Sequence, residues 1–540
     1  MLKNLIKVWE PVSQSLIWHI RCSFSTMKKP YMNYRSIPVF FFFIFCFSLA
    51  GISQRIYYSE PEREDSRRTD FDIIGKIGNN ILVFKNNRSD NDICVYDGEM
   101  KLIDRINLNK SSRWVNVDFI PYPDFAWMIY QYQDKNILYC MGVKLNDQGK
   151  MMADPIELDT TKIGWSANNK IYSTVFSDDK KKIMIFKINS KNQKNFLFTT
   201  LLFDEELKLQ SKHQLNMPME ERNDYFTDFL LDNEGDMVFG KFIRKGNNDF
   251  ISDLKLIIKP AASQEFNMLD LKTGDRILDE IKIKVDNTNR RYLFSGFFYK
   301  QRRGNIEGLY TVVWDKAING IRKETVIGFS DDLRRSAKGP DANIRLAFND
   351  YFIKNIITRK DGGYLMISES MYTSTRGNAF NRWDYMGWNN PWGGMGSYYS
   401  PFYSPYGWGS PWNRYGSGNQ ATRYHAENIM ILSFDKDGGV EWSNIVPKTQ
   451  YDDESDALIS NQIMNTGGEL HFLFNQYERR TLLLNDQSIS PDGKITRHPT
   501  LKNLERGVEF MPRFGKQISA RSMIVPCQYR NYLTFAKIDF

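Results

Sequence analysis

Short apolar runs broken by acidic or glycine-bearing turns recur along most of the chain. The plainest copy is IMILSFDKDGGVEWSNIV, residues 429–446, in which an apolar strand enters an Asp-Lys-Asp-Gly turn and a second strand leaves it. Looser copies lie at residues 95–108, 139–158, 200–215, 267–283, 309–327 and 482–501. Asp and Gly suit such turns because the Asp side chain hydrogen-bonds nearby backbone and Gly tolerates positive φ. Further strand signals stand between the copies. Residues 71–77, 80–86, 92–97 and 101–108 read as four short strands separated by turn residues. A helical period is almost absent, and residues 454–464 are the best short candidate.

Four strands in a unit of roughly forty residues is the size of one β-propeller blade. The next units begin at VNVDFI (115–120) and at KIYSTVF (170–176), where Ser177, Asp178 and Asp179 make the turn between two strands. Later units cover 226–283, 292–327, 351–446 and 461–501. Residues 508–540 hold about three strands, one short of a blade. A strand from the other end of the domain, around residues 56–58, could complete it. The pattern predicts an all-β fold: a β-propeller of seven or eight four-stranded blades, forming a single domain over residues 54–540.

The sixth unit is overlong because residues 376–423 interrupt it. This low-complexity insertion loop is rich in Gly, Pro, Ser, Asn, Trp and Tyr, and neither a two-residue nor a 3.6-residue period runs through it. Gly and Pro break every run, so it cannot pack a core of its own. Its large aromatics are costly to leave in water, and they read either as a binding arm or as a loop folded back over its own blade. The candidate binding residues are Trp383, Tyr385, Trp388, Trp392, Tyr398, Tyr399, Tyr403, Tyr406, Trp408 and Trp412.

The N-terminal segment carries an address. Lys28, Lys29 and Arg35 precede the apolar run IPVFFFFIFCFSLAGI at 37–52. A basic segment, a short apolar stretch and small residues (here Gly51 and Ser53) describe a secretory signal peptide over 27–53. The run is shorter than the ~20 residues a spanning helix needs, so no transmembrane segment is expected after cleavage. Residues 1–26 read as an upstream mis-start, with Met27 the true start, or as an extended basic region. Cys46 lacks the flanking residues of a lipidation site. The expected location is periplasmic, outer-membrane-associated or extracellular.

Charge changes the picture little. The formal +8 of the whole chain falls to +3 once residues 1–53 are set aside, because they hold six of the 72 basic residues and one of the 64 acidic ones. So small a charge gives no argument for nucleic-acid binding. Beyond Cys22 and Cys46, the cysteines are Cys94, Cys140 and Cys527, widely spaced and odd in number. They fit buried free thiols rather than a disulfide framework or a zinc motif.

Catalytic motifs are missing. The chain has no HExxH, GxSxG, P-loop or dinucleotide fingerprint, and no motif calls for a cofactor or a metal. The acidic groups at 435–438, 232–236 and 452–456 lack calcium-loop spacing and read as hairpin turns. His213, His425, His471 and His498 each stand alone in the sequence. A hydrolase could still gather carboxylates from several blades at a central channel. Asp228, Asp350 and Glu369 stand near strand ends where they could face one.

Isolated turns resemble known propeller repeats. LDLKTGDRIL (269–278) resembles the hairpin of quinoprotein-type repeats, and SFDKDGGVEW (433–442) is a near miss to it and to the Asp-box of sialidase-like propellers. SPDGK (490–494) resembles the turn of TolB-like propellers. As a whole, residues 54–540 are similar to uncharacterised secreted β-propeller-like proteins of Gram-negative bacteria. That resemblance implies the fold and transfers no functional residue. The leading expectation is a secreted or periplasmic non-enzymatic scaffold whose partner is an envelope protein. A carbohydrate-binding or glycan-cleaving propeller is the second reading. The third is an outer-membrane β-barrel, suggested by NYLTFAKIDF at 531–540, whose Tyr532, Ala536, Ile538 and Phe540 share one face. Most strands are shorter than the ~9–11 residues a membrane barrel uses.

Overall fold

Four units fold as four-stranded antiparallel sheets in chain order, the fourth and fifth units are joined in one ten-stranded sheet, and the sixth and the last are five-stranded. The computed structural model describes residues 55–540 except 63–68, 88–89, 109–112, 165–169, 193, 220–223, 228, 245–249, 302–303, 339–346, 376–377, 380–421, 454–455, 479–480, 502–506 and 531. The expectations on residues 1–53, and the ten candidate aromatics of the insertion, therefore lie outside the described residues.

Burial follows strand position. The two middle strands of a blade lie between neighbouring blades and are apolar on both faces. In blade 5, Arg291–Tyr299 and Gly308–Asp315 are buried at every residue. The outermost strands meet water and alternate, as in Leu102–Asn107 and Gly320–Gly328. This continuous middle and alternating edge is what period-two side chains require when a sheet is covered on both faces except along its rim.

The apolar residues sort into clusters between sheets. One joins Ile74, Phe84 and Val95 of blade 1 to Val117, Phe119 and Met128 of blade 2. Equivalent clusters join blades 2 and 3, 3 and 4, 4 and 5, 5 and 6, 6 and 7, and 7 and 8. The cycle closes where Ile524, Leu533 and Phe535 of blade 8 meet Ile73, Val83, Cys94 and Tyr96 of blade 1. The ring therefore has eight blades. Cys94, Cys140 and Cys527 form no disulfide and are buried in these cores.

Blade 8 is completed from the other end of the domain. Its middle strands are Ser522–Tyr529 and Tyr532–Asp539, and its outermost strand is Arg55–Tyr58. The register runs from Arg55 opposite Asp539 to Tyr58 opposite Ala536. Ser59 extends the seam by donating its N–H to Phe535 O at 2.8 Å. Glu62 then reaches blade 1, where it pairs with Lys85 at 2.8 Å and accepts from Tyr96 Oη at 3.1 Å. Because the strands belong to separate blades, the outer-membrane-barrel expectation is overturned. The strand once set in its favour, Tyr532–Asp539, is an inner member of the closing blade.

Six of the seven repeated hairpin phrases join the third and fourth strands of a blade. Four of these turns share one construction. Asp97, Asn146, Asp204 and Asp435 each accept two backbone N–H bonds at 2.8–3.0 Å through Oδ1. The fourth turn position takes positive φ, filled by Gly149 and Gly438 but also by Met100 and Leu207. Met100 and Leu207 bury their side chains, which offsets the strain of a left-handed non-glycine residue. The carboxylates are thus used by the turns themselves. The copy at 267–283 departs from the rule. Asn267–Asp270 ends blade 4, Ile277–Leu278 bridges to blade 5, and Lys282–Asp286 begins it.

The best helical candidate, 454–464, forms no helix among its described residues, and Asn461–Asn465 is the first strand of blade 7. A helix stands instead at Asp331–Lys338, between blades 5 and 6. Ser330 Oγ caps it by accepting Leu333 N–H at 3.2 Å, and Leu333 and Ala337 join the core between those blades.

The seam makes a measurable claim. Phe535 is fully buried and meets Phe71 edge-to-face at 5.5 Å. Phe535→Ala is expected to cost about 3–5 kcal/mol, read as a lower denaturant midpoint. Ile321→Ala, on the outermost strand of blade 5 and 40% exposed, is expected to change stability by less than about 0.5 kcal/mol. Equal effects at the two positions would contradict a seam that carries the closure.

Candidate functional site

Blade 6 is the one that departs from the common pattern. Its first strand, Tyr351–Thr358, has eight residues, whereas Tyr364–Thr375, Thr422–Phe434 and Val440–Asp452 have 12, 13 and 13. The inner strand ends its pairing at Tyr351 opposite Ser370, and the other strands continue as an extension that carries the insertion between them. Asn378–Ala379 turns back to pair with Ser374 and Thr375.

Cross-strand register gives the extension two unlike faces. On one, Met371, Tyr424 and Ala426 pack with Ile459. On the other, Tyr372 stands opposite His425, and His425 opposite Tyr451. Tyr372 and His425 stack at 4.4 Å with 9° between planes. Tyr451 stacks on Tyr477 of blade 7 at 6.3 Å, so the ladder crosses into the next blade. Its outer members are open to solvent, Tyr451 at 47% and Tyr477 at 54%. Arg423, the last residue of the insertion, lays its guanidinium over Tyr451 at 4.5 Å and is held by Asp453 at 2.6 and 3.0 Å. Tyr372 Oη donates to Glu427 at 2.8 Å, and burial with that bond pushes the phenol pKa up. Burial lowers the His425 pKa, which favours the uncharged ring in the ladder.

Beneath the ladder lies a buried polar chain. Glu369 is fully buried and pairs with Lys448 at 2.8 Å, with Lys354 at 3.8 Å. Burial works to raise its pKa, but the two lysines win and hold it below the usual carboxylate range. Lys448 Nζ donates to Gln450 at 2.6 Å, Gln450 donates to Asn475 O at 2.8 Å, and Asn475 donates to Phe510 O at 2.6 Å. This chain links blades 6, 7 and 8. Glu369 is thus a structural anion rather than a free channel acid. Asp228 lies outside the described residues, and the backbone carbonyl of Asp350 accepts from Met371 N–H at 2.8 Å.

The innermost strands do bring carboxylates near one another, at different positions. Asp72 lies on the first strand of blade 1 and Asp118 on that of blade 2. Lys170 holds Asp118 through both oxygens at 2.9 Å. Burial, with a smaller push from Asp118 and against the pull of Lys516, raises Asp72 to about 6. Lys516 itself donates to Ile73 O and Ile74 O at 2.7 and 3.1 Å. The histidines are not isolated in space. His213 meets Lys259 at 3.0 Å, His425 meets Ser374 at 2.9 Å, and His471 stacks on His498 at 5.2 Å.

Sequence reading placed binding in the insertion and missed the ladder at its root. The ladder's signal was present in the alternation of Tyr372 with Ser374 and of Arg423 with His425. Their alignment depends on a register that only the folded blade sets.

No protein-family model and no curated protein matches the chain. Solved structures that resemble it include a structure titled Dos1 propeller, at 8% identity and TM-score 0.39 over 87% of this chain and 94% of that one. An oligogalacturonate lyase in complex with manganese resembles it at 8% identity and TM-score 0.37, over 90% and 97%. A prolyl oligopeptidase B from Galerina marginata does so at 8% identity and TM-score 0.38, over 87% of this chain and 56% of the longer enzyme.

The inner carboxylate yields a signed prediction. A folded pKa of about 6 against an ordinary 3.8 means that the native state binds the proton more tightly between those values. Stability therefore falls as pH rises from about 4 to about 6, and the cost persists at pH 7. Asp72→Asn is expected to stabilise the fold by about 2–3 kcal/mol at pH 7, with the gain vanishing below about pH 4. Denaturant titrations at the two pH values check it. A loss of stability at pH 7 would mean that the ionised carboxylate is needed.

Proposed function

We propose that the chain is an exported, non-enzymatic β-propeller scaffold that grips an envelope protein through blade 6. One observation carries the reading: an exposed ladder of Tyr451 and Tyr477, with Arg423 stacked upon it, at the base of an insertion dense in Trp and Tyr. Tyr, Trp and Arg are the residues that most often concentrate interface energy. The arm is joined to extended strands whose other face is anchored by buried residues, so the base of the contact is preorganised. Export rests on the basic and apolar segment at residues 28–52.

A carbohydrate partner is the second reading, because the same stacked rings present flat apolar faces suited to sugar rings. Asp72 and Asp118 offer it no ready catalytic pair, since one is buried and the other is clamped by Lys170.

The test compares full-length protein, a 376–423 deletion and a Tyr451→Ser/Tyr477→Ser double variant. Affinity capture from an envelope extract is expected to recover a partner with the full chain and lose it with the deletion. The double variant is expected to bind that partner at least tenfold more weakly, corresponding to about 1.4 kcal/mol or more. Recovery of the same partner by all three proteins would refute the blade 6 reading. Glycan-array binding lost on the deletion, without a protein partner, would replace it with the carbohydrate reading.

A further inference from the structure

We propose that Glu469, His471 and His498 form a zinc site at the boundary between blades 7 and 8. The fold assembles it from residues far apart in any motif sense. The second strand of blade 7, Leu470–Glu478, follows a turn closed by Thr466, whose N–H donates to Glu469 O at 3.1 Å. Period-two geometry sets Glu469, His471 and Leu473 on one face, and Leu473 packs toward blade 8. On the next strand His471 stands opposite Ser488 and Leu473 opposite Asp486. Thr496 stands opposite Ser488 on the outermost strand, and two residues later His498 N–H donates to Asp486 O at 3.0 Å. Glu469, His471, Asp486, Ser488 and His498 thus share one side of the sheet.

The donor geometry fits a cation. Glu469, His471 and His498 each offer one ligand atom, and the three atoms lie within 4.8 Å of one another. Asp486, whose side chain is fully buried, places its two oxygens 3.0 and 3.1 Å from His471 Nδ1. A carboxylate on Nδ1 fixes the tautomer and leaves the Nε2 lone pair for a metal, the outer-shell arrangement common to histidine ligands. The Phe540 ring, 5.3 Å from His471, shields the site from the blade 8 side.

Two imidazoles with one carboxylate suit zinc, which takes three such protein ligands and keeps a fourth position for water. Calcium and magnesium prefer all-oxygen sets. Tetrahedral ligands ~2.1 Å from zinc lie ~3.4 Å apart, so the observed spread closes with shifts of about 1 Å. Those shifts fall on the adaptable partners. Glu469 stands in the turn before its strand and His498 beyond the end of Ile495–Arg497, both half-buried, while Asp486 clamps the buried His471. Ser488 Oγ, 2.8 Å from His498 Nε2, holds that ring beside the site.

The experiment is calorimetric titration of chelator-treated full-length protein with zinc chloride at neutral pH. One zinc per chain is expected, with a rise in the thermal midpoint. His498→Gln and Glu469→Gln sit at half-exposed turns and are expected to retain the far-ultraviolet spectrum of the wild type while binding zinc at least tenfold more weakly. Asp486→Asn is expected to lose roughly 10–100-fold. No zinc binding by the wild type, or unchanged affinity in both turn variants, would overturn the site. Calcium binding as tight as zinc binding would overturn its assignment to zinc.

Discussion

The antiparallel pairing of Arg55–Tyr58 with Tyr532–Asp539 is the constraint on which the rest of the structure depends. A single blade is apolar on both faces and cannot bury either alone. Each of the eight cores is half the property of one blade and half of the next. An open row of blades would leave two apolar faces in water, so closure is where the burial of every core becomes possible. Local contacts build the blades, but closure joins residues almost five hundred positions apart, as the 2.8 Å bond from Ser59 N–H to Phe535 O does. The ordering cost of that long loop is offset by completing the last core and by removing an unpaired strand edge.

Apolar packing alone leaves adjacent blades free to slide. Buried charges restrict that freedom. Asp159 of blade 2 accepts from Lys187 Nζ at 2.6 Å and Tyr172 Oη at 2.7 Å in blade 3. Asp232 of blade 4 accepts from Tyr292 Oη of blade 5 at 2.7 Å, and Lys316 of blade 5 lies 2.8 Å from Asp236 of blade 4. Desolvation removes much of what such pairs add to stability. A one-residue slip, however, would leave each charge buried without its partner. They act as registry pins between blades.

Much of this architecture was legible in the residues. The strand–turn–strand phrase marked the third and fourth strands of six blades, because Asp or Asn in the turn and alternation in the outer strand are local properties. The need for a closing strand from residues 56–58 was legible too, since residues 508–540 fall one strand short. The phrase at 267–283 misled because its turn residues are genuine while its flanking strands belong to different blades. The helix at Asp331–Lys338 escaped because two buried apolar residues make no visible period. The Tyr372–His425–Tyr451 ladder and the His471–His498 pair were invisible for a different reason. Both arise from register across strands, and register is fixed by turn lengths and bulges that one strand's sequence does not announce.

The aromatic ladder, the interrupted blade and the histidine pair fall together on the ring's last blades. Blade 6 carries the extension and the aromatic ladder, Tyr477 of blade 7 completes that ladder, and the histidine pair faces blade 8. The chain of bonds from Lys448 through Gln450 and Asn475 to Phe510 runs under all three. Those groups are buried, so displacing the extension would leave each of them without water to replace its partner. The extension therefore stands on a base coupled to the closing blade rather than on a single hairpin. A repeat fold with identical blades would have no preferred sector around its ring for a partner. Here the interruption of blade 6, anchored through the polar chain to the seam, breaks the ring's symmetry in one sector and makes that sector distinct in chemistry as well as in place.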